Sequence, residues 1–297
     1  MLASVAGTAM DDSTNGGSMR RKDLSLLLAI LLAAAAGTGA GCGSSSAGAG
    51  DATSAGASPA AVADPETLYQ VSTLSALIDG LYQPATTVGA LKQQGDTGIG
   101  TFAALDGEMV MLDDTVYQVL ADGSVAEPTD DVGSPFAAVT TFAADRTVTL
   151  AGLADYETLQ RRLDAELNGV NHIYVVRIEG HFDSVRTRSV PRQSEPYTPL
   201  MEVTAKQPEF EFSDIDGVLV GVWCPAWVGQ INLPGYHLHF LTADRSGGGH
   251  VLEVSVSRAI AELDETPVFD LSLPTTSEFR AIDLAGDYER QMRAVED

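Results

Sequence analysis

Cysteine is nearly absent. Cys42 and Cys224 are the only two in 297 residues, so no disulfide framework can be built. Basic residues are scarce too: 17 Lys and Arg stand against 41 Asp and Glu, for a net charge of −24. That deficit argues against nucleic-acid backbones and anionic membrane surfaces as partners, since both are gripped by basic patches. An anionic substrate would have to be drawn in by local positive charge, from a metal ion or an arginine. Sequence repeats of short period are lacking. The apolar run Leu24 to Ala36 is too short for a comfortable transmembrane helix. Histidine is also rare, with five in the chain, and three of them (His237, His239, His250) fall within GYHLHFLTADRSGGGH, residues 235–250.

The N-terminus reads as targeting. Met19-Arg20-Arg21-Lys22 is a positive start, and Leu24 to Ala36 has the length of a signal-peptide core. Gly39-Ala40-Gly41-Cys42 then has the look of a bacterial lipoprotein cleavage site, although Gly39 stands where a branched apolar residue is usual. The expected division is an upstream extension (1–18), a signal peptide (19–41), a Gly/Ser/Ala-rich tether (42–64) and a working domain (65–297). Cys42 then offers a lipid anchor, and the protein is expected to be exported. Cys224, inside VWCPAW, is expected to be a buried thiol.

The working domain reads as α+β, sheet-dominated, with few helices. Leu68, Val71, Leu74, Leu77 and Ile78 form a helical stripe over 66–83, ended by Gly80 and Pro84. In DYETLQRRLDAELNG, Asp155 caps a second helix, Leu159, Leu163 and Leu167 recur every four residues, and Gly169 stops it. TFAALDGEMVML and TVYQVLA read as strands with turns at Asp106-Gly107 and Asp122-Gly123. HIYVVRIEGHFDSVRTRSV, GVLVGVW, YHLHFLT and HVLEVSVS read as strands as well.

Side chains at i and i+2 of a strand share a face. His237 and His239 therefore project together, and Tyr236, Leu238 and Phe240 face the other way into a core. TADRSGGG is turn material, and a hairpin across it would bring His250 beside His239. Three imidazoles with a fourth position open is a common arrangement for catalytic zinc, whereas structural sites are closed and rich in cysteine. A cupin also uses H-x-H on a strand, but it wants a glutamate three or four residues later, where this chain has Thr242 and Ala243. GDTGIG at 95–100 precedes a strand, not a helix, which excludes a nucleotide loop. His172 and His181 fit no metal spacing. From these residues alone, a three-histidine zinc enzyme, a hydrolase for example, and a metal carrier without turnover both stay open.

The blocks GVWCPAWVGQINLPGYHLHFL, RTRSVPRQ (186–193), PYTPL (196–200) and GDTGIGTFAALDGEMVMLDD (95–114) together resemble α-acetolactate decarboxylases, in order, from about residue 66 to the end. The resemblance implies two similar α+β halves with mixed β-sheets, a zinc site on strands of the C-terminal half, and a homodimer. It implies conversion of (S)-2-acetolactate to (R)-acetoin and carbon dioxide, feeding acetoin and 2,3-butanediol formation. Zinc would be held by His237, His239 and His250. Glu108 is implied as an active-site acid, Arg188 as an active-site cation and Thr101 as a further active-site position. Glu296, in AVED, matches a glutamate on a tail that folds back to the metal. Asp114 departs from the family's usual glycine, and Arg186 from its common lysine.

Overall fold

A computed structural model of the chain describes residues 64–286, 288, 290 and 291. The upstream extension, the signal peptide, Cys42, the tether through residue 63 and Glu296 lie outside the described residues.

Fourteen strands and five short α-helices make up the described part. In chain order they are β1 (Thr67–Val71), α1 (Leu74–Ile78), β2 (Thr86–Thr87), α2 (Val88–Leu91), β3 (Thr97–Thr101), β4 (Glu108–Leu112), β5 (Thr115–Val119), β6 (Val125–Ala126), β7 (Gly133–Ser134), β8 (Ala137–Thr140), β9 (Arg146–Leu153), α3 (Tyr156–Asp164), β10 (Ile173–Arg188), α4 (Leu200–Thr204), β11 (Glu209–Cys224), β12 (Gly235–Thr242), β13 (Gly248–Thr266), β14 (Val268–Ser272) and α5 (Ser277–Ala281). Strands of the N-terminal half, joined by β14, form a seven-stranded mixed sheet in the order β14-β1-β8-β3-β4-β5-β6. Its parallel pair is β1 with β14. The C-terminal half forms a five-stranded antiparallel sheet, β10-β11-β12-β13-β9, in which β10 also pairs with β13, so that four strands close on one another.

Period-2 alternation sorts the side chains into layers. Ile99, Val110 and Leu112 of the first sheet meet Val218, Val220 and Leu241 of the second in one shared apolar layer. The opposite face of β4, Met109 and Met111, packs with Val88 and Leu91 of α2. On β12, Leu238 and Phe240 turn away from the shared layer and pack with Leu159 and Leu163 of α3.

Helix α3 starts as expected, with the Asp155 carboxylate accepting from the Thr158 amide at 2.7 Å, but it ends at Asp164 with Ala165 as its cap, so Leu167 and Gly169 lie beyond it. The stripe at 66–83 is only half helical. Residues 67–71 are a strand between β14 and β8, with Leu68, Gln70 and Val71 all buried, so both of its faces are covered. Burial on two faces imitates a helical stripe over so short a run. The helix starts only after Ser72 (φ +66), where the Thr73 hydroxyl accepts from the Ala76 amide at 3.2 Å. Asp113 and Asp114 make the two-residue turn from β4 to β5 with φ of +49° and +64°. Aspartate tolerates this left-handed conformation, so the missing glycine leaves the hairpin intact. Cys224 is buried, and burial pushes its thiol well above the ordinary range.

Candidate active site

Two cross-strand rows, one from each sheet, face each other across the shared layer. In the first sheet Thr101 on β3 pairs with Glu108 on β4. In the second, Arg188 on β10 pairs with His250 on β13, and His250 pairs in turn with His239 on β12. His237 lies two residues from His239 on the same face. The hairpin expected from TADRSGGG therefore forms with His239 and His250 as direct partners.

The glycines in that turn act through backbone approach. Gly249 has φ +130°, and a Cβ there would sit 2.4 Å from the Arg188 carbonyl oxygen. Only glycine lets β13 come this close to β10 just before His250.

Arg188 reaches the site through an irregularity. Val176, Ile178 and Phe182 of β10 face the α3 side, and so does Val185. The change from even to odd residues falls at register shifts around Phe182 and Ser184. Without this bulge Arg188 would point away from the histidines, because a one-residue slip flips every later side chain.

The three imidazole rings have centroids 5.0, 4.9 and 5.4 Å apart. One nitrogen from each lies within 4.8 Å of the others, and among the described residues this is the group able to hold a metal ion. His239 Nδ1 is 2.8 Å from the Met109 carbonyl, which can only accept. The proton is therefore on Nδ1, which leaves Nε2 as the ligand atom, a standard orientation of ligating histidines. His239 Nε2 lies 3.6 Å from Glu108 Oε2. Burial, then the charge of Arg188, holds His250 well below the usual histidine range, so its ring is neutral and can donate a lone pair. Three imidazoles and no thiolate suit a borderline divalent ion such as zinc.

The other residues are equally enclosed. Thr101, Glu108 and Arg188 are 4, 8 and 4 % exposed. The Thr101 hydroxyl donates to the Gly107 carbonyl at 2.7 Å and so fixes the residue before Glu108. The Arg188 Nε–H is buried with no hydrogen-bond partner among the described residues. A guanidinium held this way is ready for an incoming acceptor. Opposite the polar groups, Leu74 and Leu77 of α1, Leu200 of α4 and Phe136 wall a cavity of about 50 Å³. That space fits a small molecule, not a dinucleotide.

Several contributors were not anticipated from sequence. Leu74 and Leu77 read as core, and Leu200 lay in the family-like PYTPL block without a role. The Met109 carbonyl is backbone, which a side-chain motif cannot announce. Of the remaining histidines, His172 contacts Glu265, and His181 lies between Asp216 and Asp214, both at 2.9 Å. Arg186 bonds Glu209 and Glu253 at the surface.

Fold and site together define a two-sheet α+β enzyme with a three-histidine centre able to hold a metal ion, faced by a carboxylate and a guanidinium. The alpha-acetolactate decarboxylase family model matches residues 68–286. The alpha-acetolactate decarboxylase of Methanosarcina mazei is 42% identical over 231 residues, covering 78% of this chain and 80% of its own. That of Brevibacillus brevis is 38% identical over 80% of this chain and 85% of its own. The crystal structure of the Bacillus subtilis strain 168 enzyme superposes with a TM-score of 0.76 at 33% identity, covering 77% of this chain and 99% of that one. The chain belongs to the alpha-acetolactate decarboxylase family, and its reaction is the carboxy-lyase removal of carbon dioxide from acetolactate. Between the catalysis and the metal carriage that the histidines left open, catalysis is the reading that stands, and it is the decarboxylase that the family-like blocks implied.

Proposed function

We propose that the chain is a zinc-dependent decarboxylase that converts (S)-2-acetolactate to (R)-acetoin and carbon dioxide, with zinc on His237, His239 and His250. The observation that carries this reading is the convergence of Glu108 and Arg188 on the histidine group from different sheets. A metal carrier would need neither.

In the reaction the bond from the hydroxyl-bearing carbon to the carboxylate breaks, and its electron pair moves onto the neighbouring ketone. Carbon dioxide leaves and an enediolate remains, to be protonated at the carbon that lost the carboxylate. The bound zinc would supply Lewis-acid stabilisation of this developing negative charge. Arg188 orients the substrate by offering its fork to the carboxylate or the adjacent oxygens. Glu108 delivers the proton to carbon from one face, which sets the (R) configuration. Thr101 holds Glu108 in place through Gly107. Glu296 is a second carboxyl in the same proposal, as a proton donor or an aid to one. The leucines and Phe136 keep bulk water from the charged intermediate.

The leader-like segment 19–41 and the tether to residue 64 support export, with Cys42 as a lipid anchor. The family resemblance supports a homodimer. The product would feed acetoin and 2,3-butanediol formation.

The test is acetoin release from racemic 2-acetolactate, resolved by chiral chromatography, before and after chelation and after zinc is restored. Loss on chelation, recovery with zinc and (R)-acetoin from one substrate enantiomer are expected. Full turnover in a metal-free sample would overturn the zinc assignment. The His239→Ala variant should lose both bound zinc and activity.

A further inference from the structure

A second cross-strand row lies some seven residues back along β10 from Arg188. Asp216, His181 and Arg258 are neighbours on β11, β10 and β13. Beside them is a cavity of about 380 Å³, whose charged lining is Arg177, Arg245, Arg258 and His181 together with the carboxylates of Asp113, Glu179 and Asp216. It shares no lining residue with the active-site cavity. Three arginines around one cavity stand out in a chain with 17 basic residues and a net charge of −24.

Their existing partners leave donors to spare. Arg177 reaches Asp113 at 2.8 Å and Glu179 at 3.3 Å, but these carboxylates are 67 and 68 % exposed. Such exposed pairs are weak and easily exchanged. The Arg177 Nε–H is buried without a hydrogen-bond partner among the described residues. Arg245 donates to the Thr242 carbonyl at 3.1 Å, and its guanidinium carbon lies 5.5 Å from the Tyr117 ring centre. Neither Arg245 nor Arg258 forms an ion pair among the described residues. The turn that carries Arg245 is fixed by the Ala243 amide bonding the Asp216 carbonyl at 2.9 Å. His181 meets Asp216 and Asp214 through its two ring nitrogens, so these two carboxylates are turned toward the imidazole.

We propose that this cavity is a binding site for a compact oxyanion, a phosphate or a small dicarboxylate, held by Arg177, Arg245 and Arg258. Guanidinium forks match the paired oxygens of both groups, and an incoming oxyanion would replace the exposed Asp113 and Glu179 carboxylates on Arg177 while Arg245 and Arg258 supply the further donors.

The test is isothermal titration of the full chain, metal-loaded and at low ionic strength, with inorganic phosphate and separately with succinate. The wild type is compared with the double variant Arg245→Gln/Arg258→Gln. Neither arginine touches the active site, so melting temperature and kcat of the variant serve as folding controls. Saturable binding of at least one anion, weakened about tenfold or more in the double variant, is expected. Preference for phosphate points to a phosphoryl ligand, and preference for succinate to a carboxylate one. The proposal fails if neither anion saturates by about 20 mM, or if both proteins bind alike.

Discussion

Replacing Gly249 by alanine tests whether backbone approach builds the histidine group. The new Cβ would fall 2.4 Å from the Arg188 carbonyl and 3.1 Å from the Thr187 hydroxyl. Ordinary carbon contacts are about 1 Å longer than the first of these, so β13 and β10 must part locally. The φ of +130° adds strain that an L side chain does not tolerate, roughly 1–3 kcal/mol. One or two lost ladder hydrogen bonds add about 0.5–1.5 kcal/mol each. The total is about 1.5–6 kcal/mol, which for a domain of this size lowers Tm by about 3–24 °C. Because His250 follows directly, bound metal and acetoin formation should fall with stability. Gly152→Ala is the control: φ is +62°, but nothing lies within 4 Å of the new Cβ. It should cost only about 1–2 kcal/mol and leave activity intact. The reasoning is refuted if Gly249→Ala melts within about 2 °C of wild type with full metal content and activity. It is equally refuted if the control loses as much activity as the test variant.

Arg188→Lys keeps the charge but loses the planar fork, so kcat/KM should drop about 10²-fold with zinc content unchanged, as metal analysis would show. Glu108→Gln keeps the shape but removes the proton, and kcat should fall about 10²–10⁴-fold while the three histidines still bind metal. Asp264 is pushed up to about 7, by burial first and then by Asp145, Glu66 and Asp96. Its folded-state value lies above its unfolded one, so the stability it contributes is complete at acid pH and is lost as pH rises through about 7. Asp264→Asn should therefore gain in Tm relative to wild type at pH 8 and not at pH 4. Equal Tm differences at both pH values would show that the carboxyl titrates as it does in the unfolded chain.

The histidine hairpin was legible because a strand has a fixed period of two. Once YHLHFL is a strand, His237 and His239 must share a face, and a glycine-rich turn must return His250 to them. The start of the Asp155-capped helix was legible for the same kind of reason, since its cap and its Leu159, Leu163 stripe are close in sequence, whereas its end at Asp164, short of Gly169, was not. Position 71 shows the limit. Whether Val71 ended a strand or continued a helix depended on β14 and β8 covering both sides, and neither is near it in sequence.

By itself the sequence determined the sheet-rich class, the pairing of His239 with His250 and, through family-like blocks, the involvement of Thr101, Glu108 and Arg188. Only the tertiary structure decided that the histidine face is sealed between two sheets, with Glu108 3.6 Å from His239 across the layer. It also decided that a bulge turns Arg188 inward and that the Met109 carbonyl selects the tautomer of His239. The reason is physical. Periodicity fixes which side chains of one strand share a face, whereas the meeting of two faces is set by packing between segments more than a hundred residues apart.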